Sequence, residues 1–199
     1  GSLPLFHAFG IVVTTFLPLI EGIKCVCHPD PTDGLGLGKL ISQYKATIMT
    51  GTSTFFRLYT KNSKVHPLMF ESLRLCVAGA EKLREDVRYD FKKKFGKDIL
   101  EGYGTSETSP VAACNLPDVL APDFTIQVGN KIGTVGMAIP GTTIKIVDPL
   151  TFKELDTNEE GMILVSGIQV MRGYLNDEAR TAKALKKIRG KIYYITGDR

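Results

Sequence analysis

The sequence predicts an α/β chain in two parts: a parallel sheet with flanking helices, followed by a smaller, mainly antiparallel β region. Three observations predict it. Up to about residue 115, short β-like runs alternate with helical apolar spacing. After about residue 130 the apolar runs become short and punctuated by glycine. Between them, Pro117 to Gln127 is a polar, Pro-containing bridge. The expected parts are residues 3–130 and 131–199.

In the first part, Gly22 precedes a candidate strand at Ile23 to Cys27, and Leu37 to Tyr44 reads as a short helix. Ala46 to Met49 is β-rich, and Thr52 to Tyr59 suits a helix capped by Thr52 or Ser53. Leu73 to Ala78 is compact and apolar, as a buried strand requires. Leu83, Val87, Phe91 and Phe95 then recur at helical spacing, and Gly96 supplies a stop. Asp98 to Tyr103 is a further strand, leading into glycines. In the second part Val135, Ile139, Ile144 to Val147, Met162 to Val165 and Ile192 to Ile195 are short runs. Pro140-Gly141, Asp148-Pro149 and Glu160-Gly161 mark turns between them, and Asp177 to Leu185 is an intervening helix with Asn176 as its cap.

Composition narrows the function classes. The 199 residues are 43% hydrophobic, and 25 basic against 21 acidic residues leave a net charge of +4. That excess is too mild to indicate a nucleic acid or a membrane, and no nucleic-acid partner is expected. Cys25 and Cys27 would share one face of a strand beside His28, but no second close pair completes a zinc site. Nothing favours a disulfide scaffold, so a reducing intracellular compartment is the default. The most apolar stretch, Phe9 to Ile20, is 12 residues long and too short to span a bilayer. Both ends stop abruptly, after a Gly1-Ser2 start and at Gly197-Asp198-Arg199, and read as cuts through a larger protein. The basic residues between Lys82 and Lys97, and between Lys183 and Lys191, read as solvated faces, with docking of an acidic carrier or a phospholipid surface as the alternative.

The segment Glu101-Gly102-Tyr103-Gly104-Thr105-Ser106-Glu107-Thr108 carries the most chemistry. It follows a strand, where open α/β sheets bind ligands. Gly102 and Gly104 allow close backbone approach, the hydroxyls of Thr105, Ser106 and Thr108 offer bonds to phosphate, Tyr103 can stack on a base, and Glu107 can hold a hard cation. A Gly-rich turn before a capped helix explains the same residues without a ligand. Gly79-Ala80-Glu81 follows another strand and leaves room for a planar ligand; the alternative is a tight strand-to-helix turn. His7, among apolar neighbours, could be a core histidine, a gate or an acid-base group, the first two preferred because no Ser or Cys nucleophile motif accompanies it. Asp198 either accepts ribose hydroxyls or sits in a surface turn. Neither the dinucleotide fingerprint nor the Gly-Lys-Ser/Thr phosphate loop is present.

Taken in order, Leu3-Pro4-Leu5-Phe6-His7-Ala8-Phe9-Gly10, Gly79-Ala80-Glu81, Gly102 to Glu107, Gly133-Thr134-Val135-Gly136 with Pro140-Gly141, Gly167 to Tyr174 and Thr196-Gly197-Asp198 resemble the adenylate-forming acyl-CoA and acyl-carrier-protein synthetase superfamily. The resemblance covers essentially the whole chain, and implies an internal fragment of such an enzyme's N-terminal domain. It implies that a carboxylate attacks the α-phosphate of ATP to give acyl-AMP, after which a thiol displaces AMP. It further implies that His7 lines the acyl pocket, Gly79, Ala80 and Glu81 border adenine, Tyr103 stacks on it beside Gly102 and Gly104, Ser106 contacts phosphate, Glu107 binds Mg2+ and Asp198 binds ribose. Ser106 and Glu107 would be the catalytic pair.

The resemblance is nearest to the acyl-carrier-protein synthetase part of a bifunctional bacterial protein that reacylates lysophospholipid. Long-chain fatty acid, an acyl-carrier protein or coenzyme A, and a lysophospholipid are then the implied partners. The expected locations are the cytoplasm or the cytoplasmic face of the inner membrane for the parent, and a soluble state for the fragment. The family's upstream Ser/Thr/Gly-rich phosphate loop is missing, as is everything past Arg199, so the chain alone is expected to be inactive. A fragment of an acyl-CoA synthetase, or a noncatalytic nucleotide-binding or interaction module, is the alternative.

Overall fold

A computed structural model describes residues 1–199. The chain forms two compact units, one from Gly1–Tyr103 with Ala113–Met137, the other from Gly104–Ala112 with Ala138–Arg199.

The first unit begins with helix α1 (Ala8–Ile11), which runs through a π-helical turn at Val12–Phe16 into α2 (Leu17–Glu21). Then come α3 (Gly34–Tyr44), β1 (Ile48–Gly51), α4 (Ser53–Lys61), a 3-10 turn at Pro67–Phe70, β2 (Leu75–Ala78), α5 (Glu85–Phe95) and β3 (Ile99–Tyr103). Strands β1, β2 and β3 are parallel neighbours, with Ala78 level with Glu101, and β4 (Ala113–Cys114) runs antiparallel to β3. A small hairpin, β5 (Val119–Leu120) and β6 (Ile126–Gln127), follows. The two-residue strand β7 (Met137–Ala138) is the last in the sheet order β1-β2-β3-β4-β7.

The helical spacing read from the sequence builds the core. Leu83, Val87, Phe91 and Phe95 are all buried, and Phe91 meets Phe56 of α4 edge-on at 5.1 Å while Phe95 stacks on Phe70 at 4.5 Å. Thr52 caps α4 by accepting from Phe55 N at 3.3 Å, and Gly96 ends α5 in the left-handed region at φ +66°. Most of the basic residues on and around α5 have internal partners. Arg84 pairs with Asp86, Lys92 with Asp98, and Lys94 Nζ donates to the carbonyls of Thr60 (2.8 Å) and Asn62 (2.7 Å) at the end of α4.

Arg88 and Glu101 form a buried ion pair. The second Glu101 oxygen accepts from Leu83 N at 3.1 Å, and Arg88 Nη1 donates to Ile99 O at 3.0 Å. One side-chain pair thus ties α5, β3 and the loop after β2 together. Buried Asn115 does the same for the loop at 133–136: it donates to Thr134 O at 2.6 Å and accepts from Lys131 N at 2.9 Å.

The second unit is an antiparallel sheet. Strands β8 (Thr142–Val147) and β9 (Met162–Gly167), helix α6 (Glu178–Ala184), β10 (Leu185–Ile188) and β11 (Lys191–Ile195) give the order β10-β11-β9-β8. Val147, Met162, Leu164 and Tyr193 form its core, with Phe152, Ile188 and Ile195 packed against them. Arg189 and Gly190, both at positive φ, turn β10 into β11 as a two-residue hairpin loop.

Several elements differ from the sequence reading. Ile23 to Cys27 forms no ladder: Ile23 N donates to Pro18 O in α2, Val26 O accepts from the Gly1 amine, and His28 N next to it donates to Gly1 O. Cys25 and Cys27 still point the same way, with Sγ atoms 3.9 Å apart. Asp177, not Asn176, caps α6, accepting from Arg180 N at 2.9 Å. The run after Ala184 leaves the helix to pair with β11, and the polar bridge contains the β5–β6 hairpin. The expected membrane association is corrected as well: no helix is long and apolar enough to cross a membrane.

Removing one partner from a buried ion pair strands the other charge. Glu101→Gln should therefore lower unfolding stability by about 3 kcal/mol in chemical denaturation. Burial pushes the Cys76 thiol up to about 12. Alkylation of the native protein at pH 8 should take exposed Cys25 and Cys27 and reach Cys76 only after unfolding.

Candidate functional site

In the first unit, β2 and β3 are neighbours and both end at the same edge, where they release Gly79-Ala80-Glu81 and Gly102-Tyr103. Gly79 is buried, and a Cβ there would stand 3.1 Å from the Phe9 ring. Its missing side chain therefore makes room for Phe9 as well as for any ligand. Ala80 sits at φ +68°, a left-handed conformation uncommon for a residue with a Cβ. Glu81 reaches back to α4, where Oε1 accepts from Thr54 N at 2.6 Å. Partial burial pushes its carboxyl up, but bonds from Thr54 and Thr52 outweigh that and hold it below the usual range. At Gly102 an added Cβ would make only ordinary contacts, the nearest at 3.6 Å, so the fold does not demand glycine there.

His7, Ala80 and Glu81 come together on one groove of about 320 Å³, with Leu3, Phe6, Phe9 and Phe55 as its apolar lining. His7 is exposed, and its Nδ1 accepts from Phe9 N at 3.2 Å, capping α1. The tautomer is thereby set: Nε2 carries the proton whenever the ring is neutral.

The second unit holds Gly104, Ser106, Glu107 and Asp198. Gly104 is required by its own loop, since a Cβ would lie 1.7 Å from the Pro110 carbonyl oxygen. Ser106 is the exposed first residue of a 3-10 turn, Ser106–Thr108, and buried Thr108 braces it by accepting from Thr105 N at 2.9 Å. Glu107 Oε1 accepts from the Tyr174 hydroxyl at 2.7 Å, and its backbone carbonyl from Met171 N at 2.8 Å. Partial burial raises the Glu107 carboxyl, but the bond from Tyr174, with smaller ones from its own backbone and Tyr194, leaves it below the usual range. Burial, then the charge of Glu107, pushes Tyr194 up to about 12. Glu107 is thus an ionised carboxylate beside two protonated phenols at neutral pH. Asp198 is exposed on a tight turn. Its backbone N donates to Thr196 Oγ1 at 3.0 Å and its carbonyl accepts from Ile163 N at 2.9 Å.

Two groups escaped the sequence reading. Glu101 was taken with the Gly-rich segment, yet its carboxylate is spent on Arg88 and Leu83. Tyr174 lay inside a segment singled out for resemblance, and only the fold shows that its hydroxyl meets Glu107.

A family described as AMP-binding enzyme matches residues 1–175 of the chain. The chain belongs to it. A long-chain-fatty-acid–CoA ligase from Haemophilus influenzae is 32% identical over 186 residues, which is 93% of this chain and 31% of that protein. One of the same description from Bacillus subtilis is 30% identical over 188 residues, 94% of this chain and 31% of the relative. Among solved structures, apo MatB from Rhodopseudomonas palustris superposes with a TM-score of 0.79 at 27% identity, covering 98% of this chain and 36% of that one. A long-chain-fatty-acid-CoA ligase from Archaeoglobus fulgidus, at 20% identity and TM-score 0.80, shares the fold over 99% of this chain and 40% of its own. The chain spans about a third of the length of the curated relatives it matches.

Within the second unit, Ser106 and the Asp198 carboxylate are exposed and Thr105 is half-buried. No three His, Cys, Asp or Glu side chains cluster into a self-contained metal site. Glu107 alone suits Mg2+, which takes one or two carboxylates and shares its remaining positions between phosphates and water.

Two neighbouring glycines separate loop packing from ligand access. Gly104→Ala should destabilise the protein by more than about 1 kcal/mol, through the Pro110 clash. Gly102→Ala should stay within about 0.5 kcal/mol in thermal or denaturant unfolding.

Proposed function

We propose that the whole protein carrying this chain is an AMP-forming acid–thiol ligase, which activates a long-chain fatty acid and passes it to coenzyme A. The observation that carries the reading is Glu107, an ionised carboxylate fixed on the loop after β3 in a chain of the AMP-binding family. The relatives' descriptions as long-chain-fatty-acid–CoA ligases support the substrate and the thiol. They favour coenzyme A over the acyl-carrier protein to which the sequence segments pointed.

The fatty carboxylate would form a new bond to the α-phosphorus of ATP as the bond to pyrophosphate breaks. The thiolate would then form the thioester as AMP departs with the electron pair. Magnesium, when bound, supplies charge neutralisation for the phosphates. In the proposed roles Glu107 holds that cation, and Ser106 donates a hydroxyl hydrogen bond to phosphate. Tyr103 offers its face to adenine beside Gly79, Ala80 and Glu81, and Gly102 keeps the backbone free of a side chain there, while Gly104 lets the loop pass the Pro110 carbonyl. Asp198 accepts from ribose. His7, on the apolar groove, lines the acyl path. A groove of about 320 Å³ walled by Phe6, Phe9 and Phe55 suits an alkyl chain rather than a polar acid.

A second reading keeps the acyl-carrier protein as acceptor, with a lysophospholipid-reacylating partner domain. It rests on the resemblance of Leu3 to His7, Gly51 to Phe55, Val77 to Leu83 and Ile99 to Gly104 to that branch. Assaying the complete protein with one fatty acid and each thiol separates the two. Faster thioester formation with coenzyme A is expected, and a preference for the carrier phosphopantetheine would move the assignment to the second reading.

Glu107→Gln in the complete protein should cut fatty-acid-dependent AMP formation by about 100-fold and raise the magnesium needed for half-maximal rate. An unchanged rate and magnesium profile would remove Glu107 from the site. Asp198→Ala and Tyr103→Ala should each weaken ATP binding by calorimetry in protein that circular dichroism shows to be folded.

A further inference from the structure

We infer that Tyr174, backed by Arg180, is the positioning residue that aims the Glu107 carboxylate, making the Met171–Thr181 segment a clamp on the loop that carries it. The functional consequence rests on the ligase reading above; the clamp itself rests on geometry. Glu107 lies on a three-residue 3-10 turn, so no helix restrains its rotatable side chain. It is gripped at two points by one short stretch. Met171 N holds its carbonyl at 2.8 Å and the Tyr174 hydroxyl holds Oε1 at 2.7 Å.

Tyr174 is fixed in turn. Its backbone N donates to Thr181 Oγ1 at 2.8 Å, and that hydroxyl donates to Asp177 O at 2.8 Å. Asp177 also caps α6 by accepting from Arg180 N. This places the Arg180 guanidinium 4.1 Å from the Tyr174 ring centroid. A cation over the ring face withdraws electron density from the phenol and strengthens it as a donor. Gly173 makes the approach feasible, since a Cβ there would meet Thr181 at 2.8 Å.

Packing does not account for the hydroxyl. Tyr174 is only half-buried, and its ring needs no oxygen to lie under Arg180. The oxygen finds its partner in Glu107, as a charge-assisted hydrogen bond that sets the direction of the carboxylate. Tyr194, the other phenol facing Glu107, comes from β11. The clamp thus joins a segment with no catalytic group of its own to the carboxylate that would hold the metal.

The test uses the complete protein and Tyr174→Phe, which removes one oxygen. Amide hydrogen exchange over residues 105–108 should speed up. The magnesium concentration for half-maximal fatty-acid-dependent AMP formation should rise about tenfold, while kcat at saturating magnesium stays within about twofold of wild type. Arg180→Gln should shift the magnesium requirement the same way by about threefold. Exchange and magnesium dependence both equal to wild type in Tyr174→Phe would overturn the positioning role. A loosened loop in a protein whose wild type forms no AMP at any magnesium concentration would support the clamp and overturn the ligase reading instead.

Discussion

Taking a carboxylate and a guanidinium out of water costs several kcal/mol per ion, and only good geometry with further hydrogen bonds offsets it. Glu101 and Arg88 are such a pair in the first unit, with Arg88 Nε the one buried side-chain nitrogen left without a partner. The carboxylate satisfies Leu83 N as well as Arg88, and the guanidinium satisfies Ile99 O as well as Glu101. These bonds fix one place: the point where β2 and β3 end and the loop of Gly79 to Leu83 leaves the sheet. The Phe56–Phe70–Phe91–Phe95 cluster supplies the apolar mass beneath, but aromatic contacts tolerate small shifts. The ion pair specifies a register.

The second unit applies the same physics to an ionised group with a different fate. Glu107 also accepts hydrogen bonds from neighbouring side chains, yet these are neutral phenols instead of a guanidinium. Phenols orient a carboxylate and keep it ionised without cancelling its charge. The contrast between the two glutamates, six positions apart in the sequence, lies in their partners: a guanidinium for Glu101, neutral phenols for Glu107. Glu101 has spent its charge; Glu107 retains it.

Much of this was legible in the sequence, because it rests on local rules. The spacing of Leu83, Val87, Phe91 and Phe95, the stop at Gly96 and the cap at Thr52 gave α4 and α5, and the apolar runs at Leu73 to Ala78 and Asp98 to Tyr103 gave the central strands. What was not legible depends on partners distant in the chain. Ile23 to Cys27 has strand composition but forms no ladder, and Val26 O meets the Gly1 amine. Leu185 to Ile188, at and just past the expected helix end, has no strand expected from the sequence and forms one because it pairs with β11. The division of labour between Glu101 and Glu107 is set by Arg88 and Tyr174, and spacing alone cannot show which glutamate each one meets. For Gly104 the sequence left room for a ligand and a tight turn as alternatives, and only the fold shows the Pro110 carbonyl that the turn brings against it.

The account makes acid activation a step of its own, completed before any thiol is engaged. Isotope exchange between labelled pyrophosphate and ATP, in the complete protein without thiol, measures that step alone. Exchange that needs both a long-chain fatty acid and magnesium is the expected result. Exchange that appears only once a thiol is added, or that proceeds without the acid, would contradict the account.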